Sequence, residues 1–117
     1  MIKRASELNT DVFPNRFGGK GEFKVTKILE MDQLQGKGRL FARNILEPGH
    51  SLGWHQHTGD IEAYYIVRGE GTVDDNGTKV VVGPGDVVYT ADGEHHAIEN
   101  TGSSTLEFIA LILYTSK

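Results

Sequence analysis

The chain has 117 residues, a formal charge of −4 and no cysteine. That length suits one domain spanning residues 1–117, and the lack of thiols excludes disulfides, thiolate metal sites and cysteine nucleophiles. Lys3, Arg4, Lys20, Lys24 and Lys27 are scattered among acids, so no nucleic-acid face is expected. No segment approaches the ~20 apolar residues of a membrane span, and Met1 to Thr10 has no apolar run of signal-peptide length, which makes a cytoplasmic protein the expectation.

In chain order, residues 1–21 are irregular. Ala5 to Leu8 could form one turn of helix, and Phe13 and Phe17 stand among Gly, Asn and Pro. This segment reads as a surface loop, the alternative being an arm that packs on a neighbour. Strands follow at Glu22 to Glu30 and Arg39 to Glu47, the second stopped by Pro48-Gly49. Further strands are expected at Ser51 to His57, Glu62 to Arg68, Thr72 to Asp75 and Thr78 to Val82. Asn76-Gly77 between the last two predicts a type I′ hairpin. Asp86 to Thr90, His95 to Asn100 and Thr105 to Tyr114 complete about eight or nine short strands at turn spacing, the mark of an all-β sandwich or barrel.

Four of the five histidines fall into two groups, His55-Gln56-His57 and His95-His96. Residues two apart on a strand share a face, so His55 and His57 can both look inward while Gln56 looks out. Glu62, opening the next strand, can reach the same point. Two imidazoles and a carboxylate, joined by His96, make a suitable donor set for a divalent ion. His95 is out of phase with His96 and faces away; His50, after the turn glycine, is read as an exposed or capping residue.

Residues Gly49, His55, His57, Glu62 and Gly69 have the spacing of the first cupin motif, in residues 49–69. Gly85, Gly93, His96 and Asn100 match the second, in residues 85–100, with Ala91 where that family usually has proline. The chain thus resembles small single-domain bacterial cupins. The resemblance implies an antiparallel jelly-roll β-barrel with one divalent ion (Mn, Fe, Ni, Co or Zn) in its mouth. By residue match the ligands would be His55, His57, Glu62 and His96. Some such cupins are similar to oxalate decarboxylases, which carry an arginine three residues before the first metal histidine; here that position is Leu52. A catalytic acid on a lid after the second motif also has no evident counterpart, so full oxalate chemistry is not expected.

Strand phase sketches the pocket. Tyr64 and Ile66 point inward with Glu62, Ile98 with His96, and Phe108, Ala110 and Ile112 opposite Glu107. On Arg39 to Glu47, Arg39, Phe41 and Arg43 share the outer face, leaving Asn44 as a polar group in an apolar lining. Asn44 and Tyr64 are therefore candidate ligand contacts, beside the alternatives of a structural hydrogen bond and ordinary core packing. Leu52, Ile98 and Phe108 would meet an apolar ligand body. With Arg39, Arg43 and Arg68 outside or at the edge, the cup should hold no fixed cation. A monoanion or enolisable neutral chelator follows, with Asn44 donating to a chelating oxygen. Two classes stay open: an enzyme acting on a small carboxylate, enol or diketone by dioxygenase, decarboxylase or isomerase chemistry, and a non-catalytic binding or sensing module. Phe108 to Tyr114 and Ala63 to Val67 are apolar on both faces, which suggests a homodimer unless residues 1–21 cover the surplus.

Overall fold

Short runs rich in Val, Ile, Phe and Tyr, each closed by a turn, form ten antiparallel strands in the computed structural model, which describes residues 1–116. They are β1 (Thr10–Pro14), β2 (Glu22–Leu29), β3 (Gly38–Leu46), β4 (Ser51–Gln56), β5 (Asp60–Arg68), β6 (Gly71–Asp75), β7 (Thr78–Val82), β8 (Val87–Thr90), β9 (His95–Glu99) and β10 (Leu106–Tyr114). A six-stranded sheet in the order β1-β2-β3-β10-β5-β8 faces a four-stranded sheet in the order β4-β9-β6-β7. This is the jelly-roll architecture expected. The only helical pieces among the described residues are 3-10 turns at Ala5–Glu7, Arg16–Gly18 and Met31–Leu34. None is long and apolar enough to cross a membrane.

Alternation decides which side chains are buried. On β5, Asp60, Glu62, Tyr64 and Ile66 point between the sheets; on β10, Leu106, Phe108, Ala110 and Ile112 do so. Leu46, Val73 and Ile98 close the core from β3, β6 and β9. Each such large apolar side chain stabilises the fold by roughly 1.5–3 kcal/mol relative to exposure. The β6–β7 turn is the expected hairpin, with Asn76 at φ 52° and Gly77 at φ 100°.

Residues 1–21 hold a paired strand as well as loop. β1 pairs with β2 from Thr10↔Thr26 to Pro14↔Glu22. The chain then turns through Asn15 and Phe17, both in the left-handed region at φ 50° and 53°, and lands on β4. There the Lys20 amide donates to Ser51 Oγ (2.9 Å) and the Ser51 amide to the Lys20 carbonyl (2.8 Å). The approach needs glycine on β4, since a Cβ at Gly53 would collide with the Phe17 carbonyl. The segment carries no sustained alternation of its own, so nothing local announces that it pairs.

The N-terminal segment does not cover the outer face of the large sheet either: β1 extends the edge beside β2, far from β5 and β8. Tyr65, Val67, Val87 and Tyr89 stay exposed on that face.

Candidate metal centre

His55 and His57 come from β4 and the residue after it, Glu62 from β5 and His96 from β9. His55 lies directly across from His96 in the β4–β9 ladder. That ladder shifts register between Leu52 and His55, and a bulge of this kind lets residues three apart share a face. Leu52 and the two histidines therefore all look inward.

The four side chains converge. His96 Nε2 lies 2.9 Å from His55 Nε2 and 3.1 Å from His57 Nε2. Glu62 Oε1 lies 2.9 Å from His57 Nε2 and 3.1 Å from His96 Nε2. All four donor atoms fall within 4.8 Å of one another.

The other ring nitrogens are held from behind. His55 Nδ1 donates to the Gly53 carbonyl at 2.7 Å, and His57 Nδ1 donates to Asp60 Oδ1 at 2.8 Å. His96 Nδ1 is 2.8 Å from Thr90 Oγ1. With the proton of His55 and His57 fixed on Nδ1, their Nε2 lone pairs point at the same spot. Lone pairs and a carboxylate packed this closely repel unless a cation sits among them, so the donor set fits a divalent ion.

The protonation states of His55 and Glu62 agree. Burial, helped by the neighbouring His96 and His57 charges and only partly offset by the Gly53 carbonyl, lowers His55 to about 4. It is therefore a neutral donor at pH 7. Burial alone would raise Glu62, but hydrogen bonds from His57 and His96 hold it at about 2, as a carboxylate. His57 differs: without an ion its Nε2 shares a proton with Glu62, which raises it above its usual value despite burial, and a bound cation would take that proton's place. Burial, with the Glu62 charge nearby, pushes the Tyr64 phenol well above 10 and keeps its proton in place.

Above the cluster lies a cavity of about 130 Å³. Its apolar wall includes Phe13, Val25, Leu40, Leu52 and Ile112, and its polar groups include Asn44 and Tyr64. Asn44 is 2% exposed, and its Oδ1 has no hydrogen-bond partner. Ile98 and Phe108 are not in the wall. Both sit in the core beneath it, because inward phase fixes a face and not a depth.

The expectation of a cup without fixed cations also fails: Arg16, Lys27 and Arg39 line the cavity. Strand phase puts Arg39 outside or at the edge, but the β3–β10 ladder skips Arg39 and the β2–β3 ladder shifts near Phe41. Arg39 thereby reaches the rim, where Nε donates to Asp60 Oδ2 at 2.8 Å. Phe17, from the N-terminal turn, stacks on His55 with ring centres 4.3 Å apart. Arg16, Phe17 and Asp60 were all missed from sequence. Only Asp60 carried a signal, three residues after His57 in a tight turn. His95 faces out as expected, stacked on Trp54 at 5.2 Å, and the His50 ring bonds the Glu22 backbone. Ala91, where proline was expected, uses its amide to donate to Glu94 Oε1 at 2.7 Å, a bond proline could not make.

Because Asp60 fixes the His57 tautomer, Asp60→Asn is expected to weaken divalent-metal affinity about 10–100-fold. Competition with a chelating dye measures it.

A two-sheet antiparallel jelly roll with three histidines and a glutamate gathered at its mouth defines a β-barrel with a metal-type site. The chain belongs to the cupin domain family, whose model matches residues 43–112. It is 47% identical over 113 residues to the oxalate-binding protein of Thermotoga maritima, covering 97% of this chain and 93% of the relative. A crystal structure described as a predicted oxalate decarboxylase from Thermotoga maritima matches with TM-score 0.92 and 46% identity, over 97% of this chain and 99% of that one. The polyketide cyclase RemF of Streptomyces resistomycificus, at 18% identity, matches with TM-score 0.76 over 100% of this chain and 87% of its own, a likeness of fold alone.

Proposed function

We propose that the chain holds one divalent ion, among Mn, Fe, Co, Ni and Zn, on His55, His57, Glu62 and His96, and captures a small chelating carboxylate above it. The convergence of the imidazole Nε2 atoms and Glu62 beneath a small cavity carries this reading. A relative named for oxalate binding supports the ligand class. When bound, three neutral imidazoles and one carboxylate leave the ion a Lewis acid with net charge of about +1 and open positions for a chelate.

The protein's own groups bind and orient rather than shuttle protons. Among the cavity's acids, Glu62 is a ligand and Asp11 is paired with Lys27 at 3.2 Å. Tyr64 is held as a neutral phenol. Capture without turnover is thus the favoured class. The description of a similar structure as a predicted oxalate decarboxylase favours a second, catalytic reading, and release of CO2 by the metal-loaded protein would select it.

Elemental analysis followed by calorimetric titration with oxalate tests the proposal. One ion per chain and saturable binding are expected; a metal-free protein or one blind to carboxylates rejects it. Asn44→Leu removes an amide that meets the ligand and is expected to weaken binding by about 1–3 kcal/mol while metal content holds.

We further propose a homodimer. Tyr65, Val67, Val87 and Tyr89 expose a continuous apolar face, flanked by half-buried Ile109 and Leu111, and a face of this kind is commonly covered by a second copy. Light scattering at micromolar concentration is expected to give twice the chain mass, and a monomer mass rejects the dimer.

A further inference from the structure

We infer that Arg16 is the specificity-determining residue of the cavity, selecting dianionic chelators over monoanions by meeting the second negative charge opposite the metal. The inference rests on the carboxylate-capture reading above and goes further, to the charge of the ligand and the residue that reads it.

Three cations line the cavity, but two are already matched. Lys27 pairs with Asp11 at 3.2 Å and Arg39 with Asp60 at 2.8 Å. Arg16 forms no ion pair and no side-chain hydrogen bond among the described residues. Its guanidinium instead lies against two aromatic faces, 4.3 Å from the Phe13 ring centre and 4.8 Å from that of Phe17. Stacking of this kind holds the planar fork in place and leaves its N–H edge free for a carboxylate.

The support is rigid. Arg16 stands between Asn15 and Phe17, both left-handed, in a turn fastened to β4 at Ser51 and wedged against Gly53. Asn15 Nδ2 closes the turn on the Gly19 carbonyl at 3.1 Å. Left-handed non-glycine residues cost conformational energy and persist where the surroundings fix them.

A second observation points to a ligand independently. Asn44 is almost wholly buried at the same cavity and its Oδ1 has no partner, so this acceptor is met by a water or a protonated oxygen bridging to the ligand rather than by a bare carboxylate. The charges then add up simply. The Lys27–Asp11 and Arg39–Asp60 pairs cancel, the loaded metal site carries about +1, and Arg16 supplies another positive charge. A short dicarboxylate balances both.

The test is calorimetric titration of the metal-loaded full chain with oxalate and, separately, with pyruvate, in the wild type, Arg16→Gln and Arg16→Lys. Arg16→Gln is expected to weaken oxalate about 10–100-fold and pyruvate less than about threefold, with metal content and melting temperature unchanged. Arg16→Lys should restore part of the oxalate affinity, as a point charge lacking the fork. Equal loss for both ligands, or no loss for oxalate, overturns the role of Arg16 while leaving carboxylate capture standing. Failure of the wild type to bind either ligand overturns the capture reading itself, and this inference with it.

Discussion

Stripping the divalent ion from the purified protein with a chelator is expected to lower its melting temperature by about 10 °C or more. The four ligands stand together only when β4, β5 and β9 are assembled, so the ion binds the folded chain and not the unfolded one. At an ion concentration ~1,000 times the dissociation constant this contributes about 4 kcal/mol. In a domain of this size each kcal/mol moves the midpoint by roughly 4 °C. Removing the ion also leaves imidazole nitrogens 2.9 and 3.1 Å apart that only shared protons can then hold together. Scanning calorimetry with and without chelator measures the shift. His96→Ala should melt alike in both conditions, because one of the converging donors is gone. His95→Ala should keep the full difference, since His95 lies outside against Trp54. Identical melting of the wild type in both conditions would sink the metal site.

Phe108→Ala is expected to destabilise the fold by about 3–5 kcal/mol. Phe108 is 0% exposed and sits opposite Asn44 on β3 and Ile66 on β5. Its ring packs 4.6 Å from that of Tyr64 and 6.4 Å from that of Phe23. Truncation opens a void at the centre of the large sheet, where neighbouring strands are hydrogen-bonded on both sides and cannot collapse into it. Urea unfolding with the slope held fixed gives the number. The milder Phe108→Leu should stay folded and bind oxalate within about twofold of the wild type, because Phe108 does not reach the cavity wall. A larger change in affinity would return Phe108 to the ligand site.

Much of this architecture could be read from the residues, for reasons that differ by element. Asn76-Gly77 marks its hairpin because few sequences accept two successive positive φ values. His55 and His57 are legible as a pair because strand parity is strict over two residues, and the first motif adds Glu62. Parity is also where the reading fails. At β3 a shift in register turns Arg39 from the outer face to the cavity rim, and no local feature of Arg39-Leu40-Phe41 announces it. Ile98 and Phe108 were given the right face, but a strand crossing a jelly roll passes from packed core to open mouth, and phase does not say where. Phe17 and Arg16 were out of reach for another reason. Their positions depend on Gly53, distant in sequence, leaving room for a turn whose own residues favour no element.

The place of β10 bears on how the molecule comes into being. Residues Leu106–Tyr114 lie between β3 and β5 in the large sheet, so the strand made last in the barrel fills its middle. His55, His57, Glu62 and His96 all leave the ribosome before it. Yet until β10 arrives, no backbone pairing links β5, which carries Glu62, to β3, which carries Asn44. Pairings between residues so far apart in the chain form slowly. A ribosome-bound chain stopped before Leu106 would therefore display its histidines in an incomplete sheet, and metal loading is expected to follow the docking of β10.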